Sequence, residues 1–254
     1  MVSDTHQPAA RPYDLAIVAP ALNEAGNLTP LVEEVFAVFA DTPWRVQVVV
    51  VDDGSTDATP AELAALAQRF PALTVRRHDT SAGQSAALAT GIAAAHAPLI
   101  ATLDADLQND PGDLPQMLTL LHDRRADLVQ GDRSANRRDH LMRRMASGVG
   151  RLARRLVVGD AVRDTGCATR VLRTDFARRL PLHRPGMHRF IPALVAGFGG
   201  VVVETPVHHR PRAAGQTKYG TGLLKRGLPG LRDCFVVRAM VRDSARQRAG
   251  ALPA

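Results

Sequence analysis

The 254 residues suffice for one large domain or two small ones, 45% are apolar, and nothing in the composition marks disorder or a fibre. Cys167 and Cys234 cannot build a disulfide framework and are read as buried thiols in a reducing setting. The net charge of +7 is unevenly divided: residues 1–123 hold 5 Arg and Lys against 16 Asp and Glu, residues 124–254 hold 27 against 9. The second part favours an anionic partner, namely a lipid phosphate, a membrane surface or nucleic acid; the plain alternative is a solvated, arginine-rich surface. Nucleic acid is the weakest of these, since aromatics are only 4% of the chain.

Residues 1–12 are polar and lack the apolar stretch of a secretory signal. Leu15–Ala19 is a short apolar run closed by Pro20, hence a buried strand. Asn27–Phe39 follows with Leu28, Leu31, Val32, Val35 and Phe39 on one helical face. Val46–Val51 is a second buried strand, stopped by Asp52-Asp53-Gly54-Ser55. Asp57 or Thr59 caps the next helix, with Pro60 in its first turn. Leu73–Arg77 is a strand, Gln84–Ala95 an alanine-rich helix, Pro98–Leu103 a strand, Pro111–Arg124 a helix, and Asp127–Gln130 opens another strand.

Beyond residue 133 the character changes. Leu141, Met145, Val149, Leu152 and Leu156 recur every three to four residues among arginines, so a basic amphipathic helix is expected over about 140–157. It lies on a membrane surface or packs on the domain as an ordinary surface helix. A short strand is expected over Cys167–Leu172, a helix from near Met187, a strand over Gly200–Glu204 and a polar loop over Arg210–Gly222. The tail from Leu223 to about Arg248 is helical with a break at Pro229-Gly230. The longest nearly apolar run, Ile191–Val203, ends at Glu204, short of the roughly 20 residues that cross a bilayer.

Strands alternating with helices give a parallel, Rossmann-like sheet, whose ligands sit beyond the carboxyl ends of the strands. Three acidic clusters fall there: Glu24 after the first strand, Asp52-Asp53 after the second, Asp104 and Asp106 after the fourth. Carboxylates gathered at one crevice repel unless a cation compensates. Hard divalent ions bind through one or two carboxylates plus substrate phosphates, so this pattern points to a metal–diphosphate site. Any one cluster could be a turn former or a helix cap; three at successive strand ends argue against that. Neither G-x-x-x-x-G-K-[ST] nor G-x-G-x-x-G after the first strand occurs, which weakens kinase, ATPase and dehydrogenase readings. His208-His209 are adjacent and read as structural, not as zinc ligands.

Ala19-Pro20-Ala21-Leu22-Asn23-Glu24, Val49 through Asp57, and Asp104-Ala105-Asp106-Leu107-Gln108 together resemble family 2 glycosyltransferases of the GT-A fold. Asp164-Thr165-Gly166-Cys167, His188 through Leu194, and His209-Arg210-Pro211-Arg212 through Gly215-Gln216-Thr217-Lys218-Tyr219-Gly220 are similar to its polyprenyl-phosphate glycosyltransferases, the group of dolichyl-phosphate mannosyltransferase. The resemblance implies an α/β fold, a mostly parallel sheet flanked by helices, to which the sequence adds a basic C-terminal acceptor side and no transmembrane helices. It implies a catalytic domain over residues 13–225, with a nucleotide-sugar half (13–132), an acceptor half (133–225), and a helical tail (226–254) that associates with the membrane. Pro20, Leu22, Glu24, Val51, Asp53 and Ala105 would bind the nucleotide-sugar. Asp104 and Asp106 would hold Mg²⁺ or Mn²⁺, with Gln108 and Arg133 completing the catalytic set. Arg143, Arg189, Arg212 and Lys218 would bind the phosphates of donor and acceptor. Thr217 departs from the serine common in the group but keeps its hydroxyl. Many bacterial relatives carry two transmembrane helices in the tail; without them the protein would dock peripherally at the inner face of the cytoplasmic membrane, or use a separate membrane subunit.

The implied activity is inverting sugar transfer to an undecaprenyl or dolichyl phosphate. A phosphate acceptor needs no carboxylate base, because its second pKa of about 6 leaves it anionic at neutral pH; it needs a cationic cradle, which the arginine excess supplies. Transfer to a saccharide in cell-envelope synthesis, and a non-catalytic nucleotide-sugar or anionic-membrane binder, are the alternatives.

Overall fold

The computed structural model describes residues 12–134, 158–159, 162–211 and 223–250. Seven strands form one sheet: β1 (Leu15–Ala21), β2 (Val46–Asp52), β3 (Leu73–Arg77), β4 (Leu99–Thr102), β5 (Leu128–Asp132), β6 (Arg170–Arg173) and β7 (Val202–Pro206). Their spatial order is β3-β2-β1-β4-β6-β5-β7. All run parallel except β6, which is antiparallel to both β4 and β5. The helices are α1 (Leu28–Phe39), α2 (Thr59–Arg69), α3 (Gln84–Ala93), α4 (Leu114–Asp123), α5 (Thr174–Ala177), α6 (Ile191–Gly197) and α7 (Leu223–Gly250); short 3₁₀ turns at Pro111–Asp113 and Met187–Phe190 lead into α4 and α6.

Two apolar layers sandwich the sheet. Because side chains alternate along a strand, Leu15, Ile17, Val48 and Val50 face one layer with α1 and α4. Ala16, Val18, Val49 and Val51 face the other, with α3, α6 and α7. The apolar face expected for α1 is the one buried. Its first turn lacks a side-chain cap from Asn27; instead Glu62 of α2 accepts from the amides of Gly26 at 2.6 Å and Thr29 at 2.7 Å. A carboxylate at this end also opposes the helix dipole favourably.

The basic amphipathic stretch at 140–157 and nearly all of the polar loop after Arg210 lie outside the described residues. The tail differs from expectation: α7 runs through Pro229 and Gly230 without a break. Proline removes one amide donor there, while Cys234 and Val237 anchor the following turns in the core. No helix among the described residues is long and apolar enough to cross a membrane.

Candidate active site

The sheet delivers its acidic residues to one edge. Past β1 the chain turns through Asn23 at φ 53° into Glu24. The Asn23 amide donates to Ser55 Oγ at 2.8 Å, the Thr56 amide to Asn23 Oδ1 at 2.8 Å, and the Glu24 amide to Thr59 Oγ1 at 2.8 Å. The loops after β1 and β2 are thus stitched together. Gly54 is required there: at φ +77° a Cβ would lie 2.7 Å from the Ser81 backbone nitrogen.

Asp53 acts on that neighbouring loop. Its two oxygens accept from Ser81 Oγ at 2.8 Å, the Ala82 amide at 2.9 Å and the Gly83 amide at 2.8 Å, and one lies 2.7 Å from His78 Nδ1. Burial alone would raise its pKa; the hydrogen bonds from His78, Ala82, Ser81 and Gly83 outweigh it and hold the carboxylate below its ordinary value. Those bonds set the entry to α3, whose first residue, Gln84, donates from Nε2 to Asp104 Oδ1 at 3.0 Å.

Asp104 leaves β4 with its amide donating to Asn109 Oδ1 at 2.8 Å. Desolvation first, then the nearby charge of Asp106, pushes its pKa up to about 6; Arg133 and Arg170 pull it down, and Glu24 adds to the rise. Glu24 itself accepts from Asn27 Nδ2 at 2.7 Å. The Gln108 amide donates to Asp106 Oδ1 at 3.2 Å after a left-handed Leu107 at φ 62°. Gln108 also binds back to the 207–211 segment, with the Arg210 amide donating to its carbonyl at 2.9 Å. Arg210 is itself clamped by Glu34 at 2.6 Å and Asp110 at 2.8 Å. His208 and His209 belong to this strap: the His208 amide donates to Asp113 Oδ2 at 2.8 Å, and His209 pairs with Asn109.

These edges surround a cavity of about 390 Å³. Pro20 and Leu22 line it from β1, Ser81, Gly83 and Gln84 from the α3 entry, Asp104 from β4, Thr165, Gly166 and Arg170 from the β6 side, and His188 and Arg189 from the turn before α6. Of the residues singled out in the sequence, Pro20, Leu22, Asp104 and Arg189 therefore share one cavity. Asp53 stands behind its wall. Val51 does not line it: the side chain is fully buried and sits where a Cβ on Gly91 of α3 would meet it at 3.2 Å. Ala105 is likewise in the core. Arg133 is engaged by Asp164, Nε to Oδ2 at 2.8 Å and Nη2 to Oδ1 at 3.2 Å, and its charge reaches Asp104. Arg143, Arg212 and Lys218 lie outside the described residues.

Gln84 and Arg170 went unnoticed in the sequence, and His188 entered only within a longer motif. Arg170 had a signal: an arginine at the head of a short strand, followed directly by the buried Val171 and Leu172. His188 is held against Ser85, Nδ1 to Oγ at 2.7 Å. Burial first, then Arg189 and Arg170, lowers its pKa to about 3, so it is neutral at physiological pH. Cys167 and Cys234 are buried free thiols, as expected.

Among the described residues no three His, Cys, Asp or Glu side chains converge to hold a metal. Asp104 and Asp106 nonetheless fit a divalent ion. Their mutual repulsion is what a cation would relieve, and two carboxylates with substrate phosphates are the usual complement for Mg²⁺.

A seven-stranded, mostly parallel sheet between two apolar layers, with a polar cavity at its strand ends, defines an α/β protein of the doubly wound type. Residues 16–180 match glycosyl transferase family 2, and the chain belongs to that family. It is 39% identical over 211 residues to dodecaprenyl-phosphate galacturonate synthase of Rhizobium johnstonii, covering 82% of this chain and 62% of that protein. It is 35% identical over 213 residues to undecaprenyl-phosphate 4-deoxy-4-formamido-L-arabinose transferase of Pseudomonas paraeruginosa, covering 82% and 61%. The chain thus spans about 62% of the length of the curated relatives it matches. Two solved structures share the fold. Glucosyl-3-phosphoglycerate synthase of Mycobacterium tuberculosis with Mn²⁺, UDP-glucose and phosphoglyceric acid has a TM-score of 0.62 at 20% identity, covering 89% of this chain and 80% of that one. A mannosyltransferase of Pyrobaculum calidifontis with GDP-mannose and Mn²⁺ has a TM-score of 0.59 at 16% identity, covering 95% and 76%.

Proposed function

We propose that this chain transfers a sugar, with inversion, from a nucleoside diphosphate donor to a polyprenyl phosphate at the inner face of the cytoplasmic membrane. The observation that carries the reading is Asp104 at the β4 edge, in a cavity that Arg170 and Arg189 also line, with the charge of Asp106 close enough to raise its pKa. A divalent ion would be held by Asp104 and Asp106 and would neutralise charge building on the departing diphosphate. Gln84 holds the Asp104 carboxyl in place, and Asp53 fixes the loop from which Gln84 starts. Pro20 and Leu22 give the base an apolar wall. Arg133, locked by Asp164, places a fixed positive charge near Asp104, where it costs no reorganisation during reaction. The acceptor phosphate is already anionic, so attack on the anomeric carbon needs no base from the protein. The two relatives named above, both polyprenyl-phosphate sugar transferases, support this acceptor.

The acceptor is tested with purified chain, MnCl₂, nucleotide-sugars and either undecaprenyl phosphate or free saccharides. Product is expected only on the lipid phosphate; glycosylated saccharides with untouched lipid would overturn the reading.

A further inference from the structure

The cavity ends on its β6 side in a cationic floor, which the Asp104 carboxyl reaches through space without pairing to it. Arg170 opens β6, lies in register with Thr102 of β4 and Gln130 of β5, and is only 3% exposed. Its Nε donates to Gln130 Oε1 at 2.6 Å and its Nη2 to the Thr165 carbonyl at 3.1 Å, both neutral partners. Among the described residues Nη1 has no hydrogen-bond partner, and no carboxylate lies within ion-pair distance of the guanidinium. His188 and Arg189 line the same cavity, and His188 spends only its Nδ1, on Ser85. A buried charge without a close counter-charge is costly to maintain, and a guanidinium edge is matched by an anionic oxygen.

The order of strands says which part of a donor reaches it. Across the edge the sequence is β1, β4, β6, carrying Pro20 and Leu22, then Asp104, then Arg170. A nucleoside at β1 and a diphosphate at the β4 aspartates leave the transferred sugar at β6. A neutral hexose would offer Arg170 only hydroxyl dipoles, whereas a carboxylate on the sugar would neutralise it.

We propose that Arg170, flanked by Arg189 and His188, is a specificity subsite for the carboxylate of a uronic acid, so that the donor is a nucleoside diphosphate uronate. The proposal rests on the donor placement given under Proposed function. The test is calorimetric titration of the full chain in MnCl₂ with UDP-galacturonate, UDP-galactose and UDP. Wild type is expected to bind the uronate at least about tenfold more tightly than its neutral counterpart, as a charge-assisted hydrogen bond to the carboxylate would give. Arg170→Gln should bring that ratio near one with UDP affinity unchanged, and Arg189→Gln, at an exposed position, should lower it by a smaller factor. Equal wild-type affinity for the two sugars, or a ratio that survives Arg170→Gln, overturns the subsite. Equal loss of both sugars and UDP would put the guanidinium on the diphosphate and also overturns it. If Arg170→Gln does not fold, the wild-type ratio and Arg189→Gln decide. Failure of UDP itself to bind would instead remove the nucleotide reading on which the subsite stands.

Discussion

Asp104 is strained electrostatically in a way that favours function over stability. Its pKa is about 6 in the fold against 3.8 for a free carboxyl, so the native state holds its proton more tightly than the unfolded chain. By linkage, its ionisation costs stability as pH rises from about 4 through 6, up to roughly 3 kcal/mol above that window. Asp104→Asn should therefore raise the metal-free melting midpoint at pH 7.5 by several degrees, with the gain shrinking at pH 5, while transfer is lost. Calorimetric scans at the two pH values check this; an unchanged or lower midpoint at pH 7.5 would refute the burial argument. Asp53 has the opposite sign. Its depressed pKa gives stability that is present above the unfolded value and lost as pH falls through the folded one. Removing it leaves the part-buried amides of Ala82 and Gly83 and the Ser81 hydroxyl without their acceptor, so Asp53→Ala should cost about 1–2 kcal/mol in urea unfolding and weaken nucleotide binding by loosening the turn before Gln84.

Among elements, α3 ties the core to the site, and its packing is tight at one point. A Cβ on Gly91 would lie 2.3 Å from Val18 Cγ1. Gly91→Ala gains up to about 1 kcal/mol of helix propensity, but overpacking against Val18 of β1 costs about 1–3 kcal/mol. Net destabilisation of roughly 1 kcal/mol is expected, read as a lower urea midpoint; a higher midpoint would show that β1 yields. The elements of the first half were legible because each carries its own local pattern: the apolar runs of β1 and β2, although β1 continues through Pro20 to Ala21, and the α1 stripe that is the one buried. What local pattern does not carry is pairing. Nothing in Arg170–Arg173 tells that this short strand runs antiparallel between β4 and β5, and that insertion places Arg170 beside Asp104. The continuity of α7 through Pro229 was likewise hidden, since tertiary contacts at Cys234 and Val237 override a local breaker.

For the whole molecule, Asp104 from the acidic first part and Arg170, His188 and Arg189 from the second line one cavity. The carboxylates were legible because they stand at strand ends, where a parallel sheet gathers them. Gln84, Arg170 and His188 were not, because their relevance depends on loops being folded back: Asp53 onto 81–83 and Ser85 onto His188. Val51 shows the converse case, since the side chain of a residue beside Asp52 faces the core once alternation is imposed. The strap from Gln108 and Asp110 to Arg210 joins the metal-side loop to the segment leading towards Arg212 and Lys218. Arg210→Ala should therefore raise the KM for lipid phosphate more than that for donor, which initial-rate kinetics would read; equal effects on both would reduce the strap to simple scaffolding. The most direct measurement is formation of glycosyl phosphopolyprenol, followed by mass spectrometry with donor, undecaprenyl phosphate and MnCl₂, in wild type and Asp106→Ala. Product in wild type and at least about a hundredfold loss in the variant are predicted; product formed equally by both would contradict the role given to the aspartate pair.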